Sequence, residues 1–196
     1  MTLETTLAAA LAAGPLPAGA APAASFVEVL LADGRPTAAA EGARLYDWLL
    51  GAWDVEVFDV QDDGSRRKTR GEWHFARVLE GRAIQDVFIV PARAERKSDE
   101  PPKPGNRYGT TIRVYDPAAD HWRITWFNPV TGEKDSLMAR RQGEEILQEG
   151  KDDEGAPMRW VFSDITPRSF RWRGEVSRDG GKTWRLGAEF FATRRP

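Results

Sequence analysis

The sequence predicts an all-β protein: an antiparallel up-and-down meander of about ten strands closed into a barrel, preceded by a short N-terminal helix. Three observations predict it. From Gly51 onward apolar residues recur at every second position. The runs are separated at regular spacing by turn residues such as Asp62-Asp-Gly64, Asp116-Pro117 and Asn128-Pro-Val-Thr-Gly132. No helical periodicity intervenes between them, and a closed meander leaves no strand edge exposed.

The elements follow in chain order. Residues 1–40 form an Ala/Pro-rich extension and 41–196 the barrel domain. A helix is expected over 3–13, whereas Ser25–Leu31 fits a short strand or a helical turn equally well. In Glu41–Leu50, the residues Leu45, Trp48 and Leu49 stand at i, i+3 and i+4, one helical face, and Gly51 ends that segment. The strands are expected at 52–60, 69–80, 82–91, 107–116, 121–128, 134–142, 145–151, 157–165, 169–177 and 183–194, with a Pro-rich loop at 91–105.

Composition excludes several function classes. The chain has 196 residues, 28 basic against 30 acidic, for a net charge of −2. That balance gives no electrostatic case for nucleic acid or an anionic membrane. Cysteine is absent and only His74 and His121 are present, without metal-ligand spacing, so no metal is expected. The first residues resemble a signal peptide superficially. Glu4 stands where positive charge belongs, however, and the apolar part is mostly Ala, so a cytoplasmic protein is expected. Eight Trp and nine Phe supply ample area for a core or a lined cavity.

The run Ser177-Arg-Asp-Gly-Gly-Lys-Thr-Trp184 resembles the Asp-box of sialidase propellers. Asp-Gly between alternating runs is a strong hairpin signal, because Gly accepts positive φ and Asp bonds downstream amides. A propeller needs the unit repeated about every 40 to 50 residues, and no second copy exists. The run reads as a hairpin device, not as a sugar site.

Leu49-Leu-Gly-Ala-Trp-Asp-Val55, Gly109-Thr-Thr-Ile-Arg-Val-Tyr-Asp116, His121-Trp-Arg-Ile-Thr-Trp-Phe-Asn128 and the charged end Ala192-Thr-Arg-Arg195 are similar, in that order, to a bacterial lipocalin-like (calycin-type) β-barrel family of unknown function. The resemblance covers about residues 44–195 and implies a barrel around a small-molecule cavity. Haem-binding, nitrobindin-like relatives are expected to carry G-x-W-x-G-x-G and a late proximal His. Here Asp54-Val-Glu56-Val57 replaces the glycines and no His follows 121, so no haem or other cofactor is expected.

The aromatic-rich face of each strand is expected to point inward. It includes Trp53, Val55 and Val57, then Ile112 and Val114, and later Met158, Phe162, Phe170, Trp184, Leu186 and Phe190. The candidate ligand-binding residues are Trp73, Phe75, Arg77, Asp86, Phe88, Arg113, Trp126, Asn128, Trp160 and Trp172. Charged groups are seldom buried unpaired, so Arg77 is expected to pair with Asp86 or Asp164, while Asn128 beside Pro129 suits turn capping. Asp86, in mid-strand, is the strongest candidate for a polar group in a cavity. His74 falls on the outer face beside Glu72.

Three functions fit this reading. The first is binding of a small apolar or aromatic molecule, with a homodimer allowed. The second is a cofactor-independent lyase, isomerase or cyclase using Asp86 with Arg77 or Arg113. The third is an interaction domain whose barrel is filled by its own rings, acting through the 92–105 loop and the N-terminal extension.

Overall fold

The computed structural model describes residues 24–34, 41–97, 103 and 105–196. The helix expected over 3–13 lies outside the described residues, as does part of the 91–105 loop. The described chain is a closed barrel of ten antiparallel strands in sequence order, with the first strand hydrogen-bonded to the last. The strands are β1 (Gly51–Val60), β2 (Arg66–Val78), β3 (Ala83–Val90), β4 (Arg107–Asp116) and β5 (His121–Asn128). They continue with β6 (Glu133–Gln142), β7 (Glu145–Lys151), β8 (Pro157–Ser163), β9 (Ser169–Val176) and β10 (Arg185–Arg194). No helix among the described residues is long and apolar enough to cross a membrane.

The segment left open between strand and helix is a helical turn, α1 (Phe26–Leu30), started by a capping box between Ser25 and Glu28. It leads into a single bridge from Leu31 to Val78. The helical face at Leu45, Trp48 and Leu49 is realised as two short 3-10 segments, Glu41–Arg44 and Asp47–Leu49. Tyr46, which caps the second of them, and Leu49 within it are buried and plug one end of the barrel.

An antiparallel meander places alternate turns at opposite ends. The turns after β2, β4, β6 and β8 gather at the plugged end, where Tyr46, Trp48, Trp53, Phe162 and Phe170 pack edge to face. The turns after β1, β3, β5, β7 and β9 gather at the other end. The last of these is the Ser177–Trp184 turn, and it is self-contained. Asp179 Oδ1 accepts from the Ser177 hydroxyl at 2.8 Å and from the Thr183 amide at 2.8 Å, and Oδ2 accepts from the Thr183 hydroxyl at 2.6 Å. These donors, led by Thr183, hold the Asp179 carboxyl down at about 2.

Two strands depart from the expected inward face. On β4 the buried side is Gly109, Thr111 and Arg113, while Val114 is exposed and Ile112 half-buried. The apolar residues face out here because the polar ones meet partners inside. On β10 a bulge between Leu186 and Ala188 shifts the parity. Leu186 therefore lies opposite Glu175, and Trp184 stacks outside on Arg159, 4.1 Å from guanidinium to ring.

Candidate functional site: a Trp-lined cavity above a buried ion pair

The unplugged end opens into a cavity of about 430 Å³. Six rings form its wall: Trp73, Phe88, Trp126, Trp160, Trp172 and Phe190. Strand alternation aims them inward, and they contact one another. Trp172 stacks on Phe190 at 4.3 Å and 11°, Trp73 lies 4.5 Å from Phe88, and Trp160 lies 5.7 Å from Trp172. Two glycines make room for the indoles. A Cβ on Gly109 would lie 2.6 Å from the Trp126 ring, and one on Gly174 would lie 2.7 Å from the Trp172 ring.

Polar groups mark the inner side of this cavity. Arg113, on its wall, is 1% exposed and forms a short ion pair with Asp86, also 1% exposed. The second Asp86 oxygen accepts from the Thr111 amide at 3.1 Å. Both carboxylate oxygens are therefore engaged, and Asp86 orients the guanidinium. Tyr46 and Phe75 flank that guanidinium, each ring centre 5.4 Å from its carbon. Among the described residues, Arg113 Nε–H has no hydrogen-bond partner, and neither has the Trp73 indole N–H on the same wall. Gln148 on β7 is fully buried with both amide atoms unpartnered, and so is the Tyr46 hydroxyl, whose ionisation burial pushes far up.

The mouth is acidic. Glu133 and Asp135 from β6, Asp152, Asp153 and Glu154 from the β7–β8 turn, and Glu175 from β9 all line the cavity. Burial, reinforced by Glu133, Asp153 and Asp152, raises the Asp135 carboxyl to about 6. Arg107 also reaches this rim, but Asp59 holds it at 2.7 Å.

Of the ten candidate residues, Trp73, Phe88, Arg113, Trp126, Trp160 and Trp172 line the cavity together. Phe75 and Asp86 stand behind Arg113. The other two lie elsewhere. Arg77 pairs with Asp47 of the plug at 2.8 Å rather than with Asp86 or Asp164. Asn128 caps its turn, donating to Thr131 Oγ1 at 2.9 Å and accepting from the Tyr108 and Val130 amides. His74 sits on the outer face, 2.9 Å from Glu72, and neither histidine lines the cavity. Sequence reasoning missed the acidic mouth. Counting turns was the available signal, since the β5–β6 and β7–β8 turns must share an end.

No family model matches the chain, and no curated protein matches it. The barrel itself has a counterpart. The S-type phycobiliprotein lyase CPES from Guillardia theta superposes with a TM-score of 0.51 at 10% identity, over 79% of this chain and 96% of that one. At that identity the likeness is one of fold alone, a shared barrel architecture.

Proposed function

We propose that the barrel domain, residues 41–196, binds a small, largely aromatic molecule inside the cavity, as lipocalin-like barrels of this class would. One observation carries the reading: two buried N–H groups, Trp73 Nε1 and Arg113 Nε, stand unpartnered on the wall of an aromatic cavity. Buried donors are nearly always satisfied, and leaving one unmade costs about 1–3 kcal/mol. Acceptor atoms on a ligand, a carbonyl or a ring nitrogen, would satisfy such donors. The cavity volume of about 430 Å³ suits a molecule of a few rings. An interaction domain filled by its own rings would need no such space.

A second reading is favoured by the Asp86–Arg113 pair. An oriented guanidinium beside a ligand carbonyl can stabilise developing negative charge, which is the requirement of a cofactor-independent lyase or isomerase. The structural counterpart is named as a lyase.

Native mass spectrometry of freshly purified protein tests the first reading. An added mass of a few hundred daltons, released on unfolding and reduced in Trp73→Phe, is expected. Failure both to retain a co-purifying molecule and to take up small aromatic compounds would sink it. A bell-shaped pH dependence on an identified substrate would move the assignment to the second.

A further inference from the structure

The acidic mouth remains unexplained by the fold. Three of its carboxylates are accounted for: Arg178 pairs with Asp152 at 2.7 Å and Glu154 at 3.2 Å, and Arg159 pairs with Glu175 at 2.5 Å. Glu133, Asp135 and Asp153 are left without an ion pair among the described residues. Glu133 accepts one bond, from Trp126 Nε1 at 3.3 Å, and Asp135 and Asp153 accept none there. Glu133 and Asp135 stand two apart on one strand, so they share a face and repel each other. Arg107 offers them no counter-charge, since Asp59 already engages it.

We propose that the cavity takes an organic cation: an aromatic body against Trp73, Trp126 and Trp172, with an ammonium or amidinium group held at the mouth by Asp135, Glu133 and Asp153. This rests on the reading of the cavity as a ligand site. The unpartnered Trp73 and Arg113 donors on the wall of the same cavity are a separate observation, and an acceptor at the inner end of the molecule would meet them. The outer end must then meet carboxylates. Indole faces favour a cation over a neutral group, and the mouth's field would repel an anion. A bare metal ion fits less well: no three acidic or histidine side chains among the described residues converge as a ligand set. The raised Asp135 carboxyl agrees with this: burial first, and then the like charges of Glu133, Asp153 and Asp152, disfavour its charged form.

The test uses three probes of one shape on the full chain, each with a methoxy oxygen as acceptor at its inner end: 6-methoxy-2-naphthylmethylamine, 6-methoxy-2-naphthylmethanol and 6-methoxy-2-naphthoate, titrated calorimetrically near pH 8 at low salt. The ammonium probe is expected to bind about tenfold more tightly than the alcohol. The carboxylate should bind least, and the ammonium preference should shrink as salt is raised. In Asp135→Asn/Asp153→Asn that preference should fall close to one. Alcohol and ammonium binding equally in the unaltered protein would overturn the cation while leaving the ligand site standing. Absence of binding by all three up to about 1 mM would remove both.

Discussion

The guanidinium of Arg194 lies 4.1 Å from the ring centre of Trp53, joining the last strand to the first at the plugged end. Arg194 also donates to the backbone carbonyls of Leu50 at 2.6 Å, Trp48, and Pro167 at 2.8 Å. Trp53 in turn donates its indole N–H to the Leu49 carbonyl at 2.7 Å. One side chain thus satisfies the end of the 3-10 plug, the β8–β9 turn and an indole face. Arg194→Ala should cost about 2–4 kcal/mol in urea unfolding, from the cation–π contact plus charged hydrogen bonds. Arg194→Lys should recover less than half of that, because an ammonium cannot reproduce the fork. A loss below about 0.5 kcal/mol would contradict this role.

The buried Asp86–Arg113 pair makes a sharper stability prediction. Arg113→Ala leaves a carboxylate uncompensated in the interior, which costs about 3–5 kcal/mol. The double replacement Asp86→Leu/Arg113→Met removes both charges and should unfold closer to the unaltered protein than either single variant does. Ligand retention should be lost in the double variant even where stability returns. A double variant that is less stable than Arg113→Ala would show the pair to be a net stabiliser.

Trp73→Phe separates binding from packing. A phenyl ring stays where the larger indole stood and an unpartnered N–H goes with the lost atoms, so stability should fall by only about 1–2 kcal/mol. Retained ligand should fall about tenfold in affinity, the worth of one hydrogen bond to a buried donor. That loss of stability with binding unchanged would make Trp73 a packing residue only.

Asp135 sets a pH dependence. Its folded carboxyl titrates at about 6 against 3.8 for the ordinary group, chiefly through burial and then through Glu133, Asp153 and Asp152. The folded state therefore binds the proton more tightly. Stability attributable to Asp135 is greatest below pH 3.8, declines as pH rises through 6, and stays low above it. Asp135→Asn should raise the unfolding midpoint at pH 8 and have little effect at pH 4. A midpoint shift equal at both pH values would show that folding does not raise the Asp135 carboxyl.

The barrel was legible in the sequence because period-two alternation and turn chemistry agree along nearly its whole length. Asp179-Gly180-Gly181 shows this most directly, since every bond Asp179 makes is to its own turn. The exceptions have physical causes. On β4 the alternation is inverted, because Thr111 and Arg113 are held inside by Asp86 while Val114 faces water. On β10 the bulge at Gly187 turns Trp184 and Leu186 outward, and a bulge leaves no mark in polarity. The partner of Arg77 was misjudged because Asp47 lies in the plug, whose docking depends on tertiary packing rather than on strand parity. The acidic mouth is assembled from β6, β9 and the β7–β8 turn, so no single stretch of sequence displays it.

The plug at Tyr46 and Leu49 has a practical consequence. Among the described residues the barrel is a blind tube, so a molecule bound in it would enter and leave through one opening. β1 begins and β10 ends at the sealed face. A sensor surface attached beyond Arg194 would therefore hold every molecule with its opening toward the solution, and arrival and departure of a ligand would be read without the support in the way.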